Sequence, residues 1–173
     1  RGTRTLDAEP WRQEPFVLAC APGHPLAGKE RVRLGDLDRR AMVGFDSDLV
    51  IRHELDKALA GHGVEPDVVM EFDNIETIKR AVEIDSGVAL LPAPTVRSEV
   101  EAGRLRAVPL DCEPPLQRPL GIVRGRGKPL PPTAARFLDF LRGQRDVEPS
   151  LPAAADAPPP RAARAIRAEP SPA

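Results

Sequence analysis

Residues 71–92 constrain the fold more than any other part of the chain, because two kinds of periodicity follow one another within a short segment. An apolar strand pattern ends at Phe72. Three apolar residues then recur at the spacing of one helix face: Ile75, Ile78 and Val82. The apolar run 88–91, which Pro92 ends, predicts a second strand that is buried on both sides. The segment therefore predicts a strand, a loop, a helix, a tight turn and a strand.

The loop between the first strand and the helix of this unit is the candidate functional region. Asp73 and Asn74 carry side chains that favour helix N-caps, and we expect Lys79 to lie off the apolar helix face. Amides at the start of a helix point into whatever cleft lies beyond the sheet. The stretch Asp73–Thr77 is therefore a candidate ligand contact.

This stretch resembles the effector-binding domain of LysR-type transcriptional regulators. In that family, a helix with an alternating apolar face leads to the pattern Gly-x-Gly-apolar-Ala-Leu-Leu-Pro, and residues 85–92 read DSGVALLP. Residues 24–27, HPLA after an apolar strand, match another signature of the family. Asp85 replaces the first glycine of the pattern, at a cost of about 1 kcal/mol if the position is left-handed.

The rest of the chain alternates strand and helix patterns. Apolar strands are predicted at 16–21, 41–45, 67–72, 105–110 and 120–123. One helix is predicted from the stripe Ile51, Leu55, Ala58 and Leu59. A closing helix is predicted from Ala134, Phe137, Leu138 and Leu141. This alternation predicts an α/β fold with largely parallel pairing.

The resemblance covers residues 11–143 and implies a periplasmic-binding-protein-like (type 2) fold, with a mostly parallel sheet flanked by helices. On this basis, residues 1–15 are expected to be a polar crossover between two lobes, and 16–120 the second lobe. Residues 121–143 are expected to be the closing strand and helix of the first lobe, whose earlier part is absent. Residues 144–173 are rich in proline and alanine and are expected to be a disordered tail.

Composition excludes several classes of protein. A net charge of -1 and an aromatic content of 3% argue against a general nucleic-acid-binding surface. Two cysteines make no disulfide framework, and Cys20 lies in an apolar run that predicts a buried thiol. No apolar run reaches the roughly 18 residues of a membrane helix, and no secretory signal opens the chain. These features predict a cytoplasmic protein without a membrane partner.

Two loops supply the candidate effector contacts. Asp46, Ser47 and Asp48 are expected to begin a helix, where they either cap it only or, through Ser47 and Asp48, also face a ligand. Asp73, Asn74 and Thr77 form the second group. A carboxylate at Asp73 would repel an anionic ligand, so either the ligand bears an amine or Asp73 turns away to cap its helix; we favour capping.

The resemblance implies that a small effector, often an anionic metabolite, binds between two lobes and shifts a DNA-bound oligomer. It also implies that DNA is bound through a helix-turn-helix that this chain lacks, and that the full-length protein is a homo-oligomer. The alternative is a solute-binding module for transport, which shares the fold. We predict no enzyme, cofactor or metal site, because no catalytic motif is present and His24 has no second ligand nearby in the sequence. His53 is expected on the polar face of its helix, in contact with solvent.

Overall fold

A computed structural model describes residues 6–127 and 129–144 of the 173-residue chain. Its strands are β1 (Leu6–Cys20), β2 (Val32–Arg33), β3 (Ala41–Phe45), β4 (Asp67–Phe72), β5 (Ala89–Pro92), β6 (Arg106–Asp111) and β7 (Gln117–Gly125). Its α-helices are α1 (Val50–Gly61), α2 (Ile75–Glu83), α3 (Arg97–Glu101) and α4 (Pro132–Gly143). Short 3-10 helices lie at Pro25–Gly28, Leu34–Leu37 and Ala93–Val96. The tail predicted for 144–173 lies, from residue 145 onward, outside the described residues.

Strand β1 organises the sheet, because its two halves pair with different neighbours. Its apolar second half lies between β5 and β6 and runs antiparallel to both. Its first half, Leu6–Pro15, pairs antiparallel with β7 over nearly its whole length. From residue 6 onward, the segment that we predicted as a polar connection is therefore a strand. The strand was not predicted because the segment is polar and shows no apolar strand pattern. Its partner strand β7 lies more than a hundred residues away in the sequence.

The sheet is mixed, whereas we expected mostly parallel pairing. The parallel pairs are β3 with β4 and β2 with β6, and a single parallel bridge from Met42 to Val88 joins β3 to the segment before β5. The run Ala89–Leu91 is buried, as its sequence predicted. A continuous apolar run indicates that both faces of a strand are covered, but it does not give the direction of the neighbouring strand.

Helices α1 and α2 cover this sheet with the faces that the sequence predicted. Leu55 and Leu59 of α1 are buried, and Ile78 and Val82 of α2 are fully buried. Helix α4 is different. Leu138 is buried, but Phe137, which the helical spacing placed on the same face, is 59% exposed.

Contacts from the first half of strand β1 hold α4. The indole Nε1 of Trp11 donates to the Leu141 carbonyl at 2.7 Å, and Arg142 forms two hydrogen bonds with Glu9. Helix α4 therefore packs on the part of β1 that lies outside the main core. Among the described residues, no helix has the length and apolar character that a bilayer crossing requires.

The turn after α2 explains the family pattern at residues 85–92. The backbone N–H of Asp85 donates to the Val82 carbonyl and that of Ser86 to the Ala81 carbonyl, which is the Schellman arrangement. Asp85 has a φ of 59°, so the missing glycine is a left-handed position. At Gly87, a Cβ would lie 2.8 Å from the carbonyl oxygen of Ala41, so the second glycine is required by the close approach of β3.

Candidate functional site

Two loops meet where the parallel strands β3 and β4 end. Phe45 and Phe72 are paired at the last register position, and the backbone N–H of Asp46 donates to the Phe72 carbonyl at 3.0 Å. Residues 47–48 follow β3 and residues 73–74 follow β4. The two groups of candidate residues are therefore neighbours on one edge of the sheet, at the carboxyl ends of its strands, where ligands of α/β proteins commonly bind.

The loop after β3 is a turn and not the start of a helix. Asp46 accepts the backbone N–H of Asp48 through its Oδ1 at 3.1 Å, and its carbonyl accepts the N–H of Leu49. Helix α1 begins at Val50 with Leu49 as its N-cap, and no side chain caps it. The prediction that residues 46–48 begin and cap the helix was therefore wrong. Because their side chains are not used as caps, the exposed Ser47 and Asp48 face solvent at the edge of the sheet.

The loop after β4 ends in the predicted helix, but with a different cap. The Oδ1 of Asn74 accepts the backbone N–H of Glu76 at 2.8 Å, so Asn74 is the N-cap of α2. We had favoured Asp73 as a cap, and this was wrong. Asp73 lies one residue earlier and is exposed, and Thr77 is exposed on the first helical turn. The carboxylate of Asp73 therefore lies at the exposed surface of this edge of the sheet.

Arg52 joins the ends of strands β3 and β4 to helix α1, and we did not predict this from the sequence. Its Nη1 donates to the carbonyl of Phe45 at 2.7 Å and to Oε1 of Glu71 at 2.6 Å, and its Nε lies 2.9 Å from Asp56. Burial alone would lower the pKa of Arg52, but the hydrogen bonds to Glu71 and Asp56 raise it above its ordinary value. The i,i+4 spacing of Arg52 and Asp56 was the available signal.

The wall formed by the two loops carries more carboxylates than cations. Asp48 and Asp73 are exposed there, whereas Glu76 is paired with Lys79, and Arg52 with Glu71 and Asp56. Within residues 6–127 and 129–144, no group of three or more histidine, cysteine, aspartate or glutamate side chains is placed to hold a metal ion. The wall thus offers mainly hydrogen-bond acceptors to a small ligand.

Comparison with known proteins decides the family. Residues 3–146 match the model of the LysR substrate binding domain. The chain belongs to this family. The HTH-type transcriptional regulator YbhD of Escherichia coli is 33% identical over 137 residues, which are 79% of this chain and 43% of YbhD. The regulator CbbR of Rhodospirillum rubrum is 33% identical over 129 residues, 74% of this chain and 42% of CbbR.

A solved structure supports the fold of this LysR domain. The regulatory domain of Synechocystis CcmR, solved in complex with 2-PG, aligns with a TM-score of 0.71 and 26% identity over 85% of this chain and 70% of that chain. The periplasmic-binding-protein-like type 2 fold is confirmed. The chain spans less than half the length of the two curated relatives. These relatives are regulators of transcription.

A buried ion pair holds helix α2 of the LysR domain in place. Lys79, which we expected off the apolar face, is only 4% exposed. Its Nζ lies 3.0 Å from Oε1 of Glu99, 3.0 Å from the Thr95 carbonyl and 2.7 Å from Oε1 of Glu76. The pair links α2, whose first turn carries Thr77, to α3. The ion pair was not predictable from sequence spacing, because Lys79 and Glu99 lie twenty residues apart.

Proposed function

We propose that this chain is the effector-sensing part of a LysR-type transcriptional regulator. The observation that carries the proposal is the single wall formed by the ends of β3 and β4, joined through the Asp46–Phe72 hydrogen bond. The family match and the effector-bound structure of CcmR support it. The comparisons favour this function over solute transport. The proposed effector contacts are Ser47, Asp48, Asp73, Asn74 and Thr77.

The chemistry of the wall narrows the effector class. Asp48 and Asp73 are exposed carboxylates, and neither caps a helix. Such a surface favours ligand groups that donate hydrogen bonds, namely hydroxyl or ammonium groups. An anionic group of the effector is therefore directed away from this wall, toward the opposite lobe of the complete domain.

We propose the boundaries of the two lobes on the same basis as the function. Residues 16–120 are the second lobe, and residues 121–143 and the first half of β1 belong to the crossover and the first lobe. The pairing of Leu6–Pro15 with β7 supports this division, because it extends away from the core strands β5 and β6. The hydrogen bond from Trp11 to Leu141 attaches α4 to this extension.

The whole protein is proposed to act in the cytoplasm as a homo-oligomer that binds DNA through a helix-turn-helix upstream of this chain. Translating the DNA upstream of codon 1 tests this part. A helix-turn-helix segment followed by a long helix supports the regulator. A signal peptide followed by a complete first lobe would instead establish a secreted solute-binding protein.

The effector site is tested by NMR titration of the ¹⁵N-labelled chain with 2-PG, small hydroxy acids and amino acids. We expect a binder from the hydroxyl- or amine-bearing compounds to shift the amide signals of Ser47, Asn74 and Thr77. Thr77→Val should weaken that binding by about fivefold or more, because it removes one hydrogen bond. Thr133→Val, an exposed threonine on α4, is the matched control and should leave binding unchanged. Binding that is insensitive to Thr77→Val and to Ser47→Ala contradicts the assignment.

A further inference from the structure

A second concave site lies along helix α1, apart from the wall described above. One side of α1 and residues 112–119 enclose a groove with a volume of about 900 Å³. This volume is within the range of small-ligand sites in proteins. None of the five proposed effector contacts lines it. The groove is therefore a separate feature, and its possible ligand goes beyond the proposed function.

The body of the groove is apolar. Phe16, Leu34 and Leu55 form its buried side, and three prolines of the 112–119 segment form part of the opposite wall. Val50, at the start of α1, also lines it and is 76% exposed. An aliphatic or aromatic group that enters the groove would cover this surface and remove it from water, which is favourable.

A positively charged cluster stands at the end of the groove where β7 begins. Arg118 lines the groove and donates to Glu14, which is 4% exposed. Arg12 also pairs with Glu14, at 3.4 Å, and lies over the ring of Trp11. Two guanidinium groups thus share one carboxylate, which leaves the cluster with a net positive charge.

The hydrogen bonding of this cluster is incomplete. The Nε atoms of Arg12 and Arg118 are buried and lack a hydrogen-bond partner. Because these two Nε atoms are buried, an acceptor in the groove does not reach them, and only the exposed part of the Arg118 side chain is available to it. The side chain of Arg118 is 31% exposed, so an acceptor in the groove has access to its guanidinium group. Two carboxylates, Glu54 and Glu113, also line the groove, but both are exposed to water, which screens them.

We propose that this groove binds a small organic acid with one carboxylate. The apolar part of the acid lies along α1, and the carboxylate of the acid accepts hydrogen bonds from the guanidinium group of Arg118. Planar carboxylates match the fork of an arginine, and charge-assisted hydrogen bonds of this kind are stronger than neutral ones. The site joins helix α1 to strand β7, so a bound acid bridges the main core and the extension formed by β1 and β7.

The test is an NMR titration of the ¹⁵N-labelled 173-residue chain with 3-phenylpropanoate, and with 3-phenylpropanol as the neutral probe. We expect the acid to shift the amide signals of Ala58, Gly61 and Leu116, and the alcohol to bind at least about tenfold more weakly. Equal binding of both probes would overturn the role of Arg118. The absence of shifts at these residues would overturn the site.

Two variants and one matched control separate the ligand site from other effects. Ala58→Phe fills the groove and should abolish the shifts, whereas Ala60→Phe, an exposed alanine of α1 that does not line the groove, should leave them unchanged. Arg118→Gln should weaken binding of the acid by about tenfold and leave the alcohol unaffected. Sedimentation measures self-association in parallel. A dimer that Ala58→Phe disrupts, with no binding of the acid, would show that a second copy of the chain occupies the groove and would overturn the proposal.

Discussion

Replacing Lys79 with methionine should destabilise the domain strongly, although the sequence places this lysine among the polar positions of α2. In the folded chain, its ammonium group has three acceptors within 3.0 Å: Glu99 Oε1, Glu76 Oε1 and the Thr95 carbonyl. Methionine fills similar space but leaves the carboxylate of Glu99, which is 4% exposed, without its main partner. Removing one member of a buried ion pair costs about 3–5 kcal/mol.

We expect a value near the lower end of that range, about 3 kcal/mol of unfolding free energy, because Glu99 keeps two weaker partners. Ser98 Oγ donates to Glu99 Oε2 at 3.0 Å, and Arg104 Nη2 lies 3.6 Å from its Oε1. Lys57→Met is the matched control, because Lys57 is an exposed lysine on α1, and it should change stability by less than about 0.5 kcal/mol. Urea denaturation followed by circular dichroism measures both values.

The pH dependence of the stability provides a second test of the buried ion pair. Burial alone would raise the pKa of Glu99, but its hydrogen bonds, first of all that from Lys79, lower it. Burial alone would lower the pKa of Lys79, but its bonds to Glu76 and Glu99 raise it. In the wild type, the stability that Glu99 contributes to the fold is present above the ordinary pKa of a glutamate. It is lost as the pH falls through the lowered pKa of Glu99. The stability that Lys79 contributes is present below the ordinary pKa of a lysine, and it is lost as the pH rises through the raised pKa of Lys79.

In the Lys79→Met variant, Glu99 loses the hydrogen bond that most lowers its pKa, so it protonates at higher pH. Protonation removes the uncompensated buried charge, and the destabilisation should therefore shrink as the pH is lowered from 7 toward 4. A loss of less than about 1 kcal/mol at pH 7 would refute the assignment of a buried ion pair. A difference that grows on acidification would refute the electrostatic explanation.

Three further predictions follow from the same structure. Asp85→Gly should stabilise the domain by about 0.5–1 kcal/mol in urea denaturation, because residue 85 has a φ of 59°; a clear loss would contradict this. Ile78→Ala should cost about 2–4 kcal/mol in the same assay, because Ile78 is fully buried, and a change below 0.5 kcal/mol would mean that the helix face is misassigned. A thiol reagent should label Cys112 in the native protein and Cys20 only after unfolding, because burial raises the pKa of Cys20 to about 12; native labelling of both would contradict its burial.

The elements that the sequence predicted well are those whose signal is local. Ile78 and Val82 repeat on one helix face, and the turn at 85–87 is specified by residues next to each other, so both are found where we expected them. The first half of β1 was missed because its apolar content is low and its stability as a strand comes from β7. Helical spacing placed Phe137 on one face with Leu138, and spacing alone does not show whether a neighbouring element covers that residue.

The candidate site shows the same division between local and distant information. Sequence order placed polar residues after two strands, and the parallel pairing of β3 with β4 then brings them together. Which of these residues serve as caps was not predictable, because Asp46, Asp48, Asp73 and Asn74 are all suitable types. Only Asn74 caps a helix. The carboxylate of Asp73 therefore remains at the surface, and this is the reason that we propose an effector with hydrogen-bond donors and not a bare anion for this wall.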